Sequence, residues 1–267
     1  MLCRPHFSHR GNIQMKDLFR RTPLRQFSEY STSHLHGGAI YQARFRTRLG
    51  RAAMWTLEQP LIRNIFTRLA PHRVLDFATG TGRIAVELEA CLPNCELHGI
   101  DISADMLTRA RATCGNAAFH EMDGRQALAH FGRCAFDAVS AFRFFPNADP
   151  DLREDAADQI AGLVRPGGYV VLNNHRSYWS LPYLAMRAVG NRDGSYGTPN
   201  ADIRALFRNR GFSCVRSYSL GVWPQTEFRA FLLSWPVVTK IENVNRRFFS
   251  RGHRLGYNTV LVFRKDQ

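Results

Sequence analysis

The chain has 267 residues, 45% of them hydrophobic, enough for one large core or one domain with a cap, and no uncharged apolar run of about 18 residues, which excludes a spanning helix. Its six cysteines (Cys3, Cys91, Cys95, Cys114, Cys134, Cys214) form no CxxC pair, so reduced thiols in a cytoplasmic protein and no metal site are expected. The formal net charge of +14 excludes an acidic surface and favours an anionic partner: a phosphorylated or carboxylated acceptor, an anionic membrane touched peripherally, or RNA.

In chain order, residues 1–38 read as a basic, loosely ordered arm. The first fifteen contain Arg4, His6, His9 and Arg10 and no acid, but no apolar stretch of the kind a secretory signal needs. Met15 offers a second start. Residues 1–51 hold ten Lys or Arg against two acids, and residues 240–267 hold seven against two, so the charge sits at the ends. Only three of the 36 basic residues are Lys, so part of the surplus reflects a general preference for Arg.

Ala39–Leu69 reads as a helix in two pieces, interrupted near Pro60. Tyr41, Phe45, Leu49, Ala53 and Leu57 recur every four residues as one stripe, with Arg44, Arg46, Arg48 and Arg51 mostly off it. From there strand and helix alternate. Strands are predicted at Arg73–Phe77, Glu96–Asp101, Ala117–Glu121, Phe136–Phe142 and Tyr169–Asn173. Helices are predicted from Arg83 to Cys91, from Ser103 or Ala104 onward, over Arg125–Phe131, and over Asp151–Val164 before the stop Arg165-Pro166-Gly167-Gly168. Repeated βα units imply an α/β fold: a doubly wound, mostly parallel sheet. Asn200–Arg210 reads as a helix capped by Asn200, Phe212–Leu220 as a strand, Gln225–Arg247 as largely helical and Tyr257–Arg264 as a last strand. The domain proper would span 39–267, with core 70–174 and an acceptor cap from 175–200 and 221–256.

The chemistry is expected around Val74–Leu88. A buried strand ends in Asp76, turns through Ala78, Gly80 and Gly82, and feeds a helix at Arg83. Glycines let a ligand approach the backbone, and the first helical N–H groups face it. Gly80–Ala85 also fits the dinucleotide pattern G-x-G-x-x-A. Asp76 decides between the two ligands: a carboxylate at the strand end repels a pyrophosphate and suits a cationic amine and sulfonium.

Asp76-Phe77-Ala78-Thr79-Gly80-Thr81-Gly82 resembles motif I of the class I S-adenosylmethionine-dependent methyltransferases, with Ala78 at the first glycine position. The resemblance covers about residues 70–174 and, loosely, the last quarter, where it implies a reversed terminal strand. It implies S-adenosylmethionine as cofactor. Asp76 would hold the amine, and Gly80 and Gly82 would admit the carboxylate and sulfur. Asp101, nineteen residues after Gly82, would accept from the ribose hydroxyls, and Ile102 would lie against adenine. Asp123 and Gly124 would meet the adenine edge. An N-terminal helical arm in such enzymes covers the donor or shapes the acceptor pocket.

Phe142-Arg143-Phe144-Phe145 follows the fourth strand. No N/D-P-P-Y motif stands there, which argues against an adenine or glutamine amide nitrogen as acceptor. Phe142 and Phe144 are candidates to flank the sulfonium, and Arg143 to clamp an anionic acceptor. His175 is the candidate base, with Asn174 orienting it or the acceptor. Tyr178, Trp179 and Trp223 are candidate acceptor contacts, whose aromatic faces suit a saccharide or aromatic ring; Tyr183 and Trp235 share these segments. The Phe-Arg-Phe-Phe-Pro-Asn and Asn-Asn-His segments look similar to bacterial methyltransferases that accompany polysaccharide or glycolipid assembly. The expected function is methyl transfer to a small-molecule or saccharide hydroxyl. An RNA methyltransferase using the basic termini, an NAD(P)-dependent oxidoreductase and a non-catalytic donor-binding module remain open.

Overall fold

A computed structural model of the chain describes residues 49–175, 177–181, 183–184, 198–223, 233–249 and 256–267. The arm, the Tyr41–Phe45 part of the stripe and the Gln225 end of the predicted cap helix lie outside those residues.

Helix α1 (Leu49–Leu69) is followed by β1 (Arg73–Phe77), α2 (Arg83–Cys91), β2 (Glu96–Asp101), α3 (Ala104–Thr113) and β3 (Ala118–Glu121). A 3-10 turn at Gly124–Gln126 leads into α4 (Ala127–Phe131), β4 (Phe136–Ala141), α5 (Pro150–Leu163) and β5 (Val164–Asn174). Then come α6 (Asn200–Arg208), β6 (Phe212–Leu220), α7 (Trp235–Phe249) and β7 (Asn258–Lys265). The seven strands lie in the order β3-β2-β1-β4-β5-β7-β6, parallel except β7, which runs antiparallel to both neighbours. The chain reverses direction across the sheet between β1 and β4, where open α/β sheets leave a crevice. Because β7 is reversed, Thr259 pairs with Asn174 and Asn258 with Leu220, so the start of β7 shares one edge with the ends of the other strands.

Alternation along the strands builds two cores. Leu75, Phe77, Val139, Val170 and Phe263 face one way, against Ala156, Ile160 and Phe207 of the α5–α6 layer. Val74, Ala138, Val171 and Val262 face the other, against Leu57, Ile62, Phe66, Ile84 and Leu88 of α1 and α2. Helices on both faces follow from right-handed βαβ crossovers.

Three expectations are corrected. Helix α1 is one helix from Leu49, with Pro60 inside it. An interior proline costs about 3 kcal/mol. Burial of Leu57, Leu61, Ile62, Ile65 and Phe66, each contributing roughly 1.5–3 kcal/mol, outweighs it. Asn200 is not the cap of α6. Pro199 holds that position, and the Asn200 side chain instead donates to Thr259 Oγ1 at 3.1 Å and accepts from Asn174 at 2.8 Å. The Arg165–Gly168 stop lies within β5 rather than before it, with the pairing jumping from Phe136–Val164 to Ala138–Tyr169.

Candidate active site

The lip of β1 is built from contacts to its own turn and to the neighbouring strand β4. Asp76 is buried, with Oδ2 accepting from the Thr79 hydroxyl at 2.6 Å and Oδ1 from the Ser140 hydroxyl of β4 at 2.6 Å. Both hydrogen-bond partners are hydroxyls, not cations. Burial pushes its pKa up to about 6 despite those bonds and the more distant Arg83 charge. The turn after it needs unusual backbone. Ala78, Gly80 and Gly82 all have left-handed φ, at 56°, 58° and 75°. A Cβ on Gly80 would meet nothing within 4 Å, so space stands open beside it, whereas one on Gly82 would sit 2.9 Å from Ala110 Cβ. Gly80 therefore faces the crevice and Gly82 packs α2 onto α3. Ala78 takes the strained conformation without glycine's freedom, which costs about 1–2 kcal/mol.

The predicted ribose acid, Asp101, is half-buried at the end of β2. Its Oδ2 accepts from the Gly80 N–H at 2.8 Å and its Oδ1 from the Ser103 N–H at 2.9 Å. One carboxylate thus ties the glycine turn to the start of α3. Ile102 beside it is 38% exposed, unusual for a large apolar residue and suited to a flat ring. Asp123 caps the 3-10 turn by accepting from the Arg125 N–H and pairs with the Arg125 guanidinium, whose bonds hold its carboxyl below the ordinary range. Gly124 has a packing reason as well: a Cβ there would lie 2.4 Å from the Phe77 ring.

Beyond β4 and β5 the contacts become long-range. Arg143 also has left-handed φ, at 61°, and its N–H donates to Asn173 Oδ1 at 2.6 Å, while its carbonyl accepts from Asn147. Phe142 and Phe144 do not form a pair. Phe142 belongs to the α1-side core and Phe144 to the opposite one, edge-on to Phe77 at 5.4 Å. His175 is buried at the end of β5. Asn174, also buried, donates to Thr198 O at 2.7 Å and to Asn200 Oδ1, tying β5 to the base of α6. Tyr178 packs edge-on to Trp179, which is 50% exposed. Tyr183 stacks on Tyr257. The Trp223 N–H donates to Glu242 of α7.

A buried polar knot escaped the sequence reading. Glu58 of α1 is 2% exposed, and its Oε1 accepts from Asn173 at 2.8 Å and from Asn258 of β7 at 2.9 Å. Its other oxygen lies 3.6 Å from the Arg83 guanidinium, which rests on the Trp55 ring. The knot joins α1, α2, β5 and β7 beside the crevice. Its signal was available: Glu58, Ile62 and Ile65 fall on one helical stripe, so an acid stood at a core position. Ser140 likewise breaks an apolar strand at the position facing Asp76.

The order β3-β2-β1-β4-β5-β7-β6 with one reversed strand, the glycine turn at its switch point and the paired acids at β1 and β2 decide the fold. It is the class I methyltransferase fold. Residues 74–168 match a family model described as a methyltransferase domain. The magnesium protoporphyrin IX methyltransferase of Synechocystis, solved with bound S-adenosylhomocysteine, superposes at TM-score 0.60 and 15% identity, over 90% of this chain and 99% of that one. A demethylmenaquinone methyltransferase of Thermus thermophilus is 36% identical over 106 residues, which is 39% of this chain and 47% of that protein. A trans-aconitate 2-methyltransferase of Rhodopseudomonas palustris is 28% identical over 119 residues, covering 45% and 44%. The chain thus spans about half the length of the curated relatives it matches. The part that the family model matches runs from β1 into β5. The cofactor it implies is S-adenosylmethionine, and the crevice fits it on three counts: a buried carboxylate in need of a cation, open space beside Gly80, and an exposed Ile102 next to an acid.

Proposed function

We propose that this chain transfers a methyl group from S-adenosylmethionine to an oxygen of a small-molecule or saccharide acceptor. The observation that carries the reading is Asp76: a carboxylate buried at the lip of the switch-point crevice whose hydrogen bonds, among the described residues, come from the hydroxyls of Thr79 and Ser140. A buried carboxylate whose nearest cation, Arg83, stands off from it is costly to ionise, and a ligand ammonium in contact reduces that cost. A pyrophosphate in the same place would raise it.

In this reading Asp76 holds the amine of the donor, the turn at Gly80 and Gly82 accommodates its amino-acid end, Asp101 receives the ribose hydroxyls and Ile102 covers the adenine. Asp123 and Gly124 form the far wall. The bound donor supplies an electrophilic methyl carbon on a positively charged sulfur. The chain supplies position: an acceptor held in line gains most of its acceleration from lost freedom already removed. Arg143 is held at the crevice mouth by Asn173 and offers a charge to an anionic acceptor group. His175, shielded from water, takes the proton of an acceptor hydroxyl, worth roughly a hundredfold to ten-thousandfold in rate. Tyr178, Trp179 and Trp223 line the approach, with Asn174 fixing its floor. The relatives are named for a quinone, a small organic acid and a porphyrin, which supports a small-molecule acceptor over RNA.

Isothermal titration calorimetry with S-adenosylhomocysteine tests the donor half. Micromolar binding is expected; stabilisation by NAD(P) with no response to S-adenosylhomocysteine would overturn the assignment. Radiolabelled methyl transfer into a metabolite extract tests the acceptor half. His175→Ala is expected to cut that transfer without changing donor affinity, and unchanged transfer removes the base. Salt-dependent binding to tRNA would favour the RNA reading instead.

A further inference from the structure

Seven large apolar side chains are exposed among the described residues. Six of them lie outside the strands; Val215, within β6, is the exception. Ile102 belongs to the donor crevice. The other five are Trp179 and Leu181, just past β5, and Val237, Ile241 and Val244 of α7. Their spacing of four and three places the last three on one helix face, next to the face that buries Val238 and Glu242.

The two groups belong to one region. Both oxygens of Glu242 accept from backbone N–H groups just past β6, Gly221 at 3.0 Å and Trp223 at 2.7 Å, which pins the middle of α7 to the crevice edge. The Tyr257 N–H donates to Gly221 O, and the Ser177 N–H donates to Tyr257 O. A continuous chain of bonds therefore runs from α7 to the Trp179 loop. Charge adds a second, independent observation. Between residues 240 and 258 the sequence carries Lys240, Arg246, Arg247, Arg251 and Arg254 against Glu242 alone, and Glu242 is buried and turned inward. Lys240 is exposed beside the apolar face. An apolar helix stripe, an exposed tryptophan and an exposed lysine within a basic stretch of sequence are the features of a surface that lies in the headgroup layer of a bilayer.

We propose that this edge docks on an anionic lipid bilayer, with α7 lying in the plane of the headgroups and the acceptor mouth opening towards the lipid. The docking itself does not depend on methyl transfer; its consequence, an acceptor that is embedded in or carried by the membrane, rests on the function proposed above.

The test is flotation of the full chain with phosphatidylcholine vesicles and with phosphatidylcholine–phosphatidylglycerol vesicles, alongside thermal shift with S-adenosylhomocysteine. Binding to the anionic vesicles is expected, weakened by high salt. Ile241→Asp with Val244→Asp is expected to reduce it about tenfold or more while the thermal shift persists. Lys240→Glu is a second, milder variant expected to weaken binding through charge alone. Absence of vesicle binding by a chain that still binds S-adenosylhomocysteine overturns the proposal, as does equal binding by the variants. So does a concentration-dependent dimer that the same variants abolish, which would make this face a contact between two copies. Vesicle binding without any response to S-adenosylhomocysteine would instead overturn the donor assignment and leave the docking intact.

Discussion

The crevice has two halves built in different ways. On the β1 side most contacts are close in sequence: Thr79 lies three residues from Asp76 and Asp101 twenty-one from Gly80, while Ser140 reaches Asp76 across 64. On the acceptor side, Glu58 reaches Asn173 across 115 residues and Asn258 across 200. A ligand shape common to many enzymes is met by a local turn. The wall beyond β4 and β5 is assembled from distant pieces, and its strained residue, Arg143, donates its N–H to Asn173 of another strand. The family model matches residues 74–168, which end before α6, β6, α7 and β7.

The comparison breaks most visibly at Glu58. Glu58→Ala strands a guanidinium and two buried amides, so a loss of roughly 3–5 kcal/mol in urea unfolding is expected, with donor affinity changed far less than stability. A variant as stable as the parent would show that the two halves are not joined through this knot.

Asp76→Asn should act in the opposite sense. Donor affinity should fall about a hundredfold or more in calorimetry, since a buried charge partner is lost. Stability should rise. The folded pKa of about 6 lies above the ordinary 3.8, so the stability of the protonated form is lost as pH climbs through 6. At neutral pH the substitution restores up to about 3 kcal/mol, from 1.36 kcal/mol per pKa unit. Donor binding by the parent should also weaken as pH falls below about 6, by up to about tenfold per unit, and the Asn variant should show a flat profile. A parent profile flat from pH 5 to 8 would contradict the role given to this carboxylate.

Smaller effects sharpen the donor turn. Gly82→Ala combines a φ of 75° with a Cβ 2.9 Å from Ala110, and about 2 kcal/mol of stability should be lost in denaturant unfolding. Ala78→Gly should move the other way by about 0.5 kcal/mol, because relief of the left-handed strain slightly exceeds the added freedom of the unfolded chain. If Ala78→Gly destabilises instead, the turn is less strained than its φ of 56° implies.

The reversed last strand came only from the family resemblance, whereas by itself the sequence determined the succession of strands and helices along the chain, the glycine turn and the acids Asp76 and Asp101. Those features are written in periodicities of two and 3.6 residues, in turn chemistry and in spacings within single βα units. The continuity of α1 through Pro60, the turning of Asn174 and Asn200 towards each other, the opposite faces taken by Phe142 and Phe144, and the Glu58 knot were decided by tertiary structure alone. Each depends on which distant segment packs beside it, and burial energies of several kcal/mol override a local preference of about one to three. A proline in a helix or an acid in an apolar stripe states a cost in the sequence, but only the folded neighbours show what offsets it.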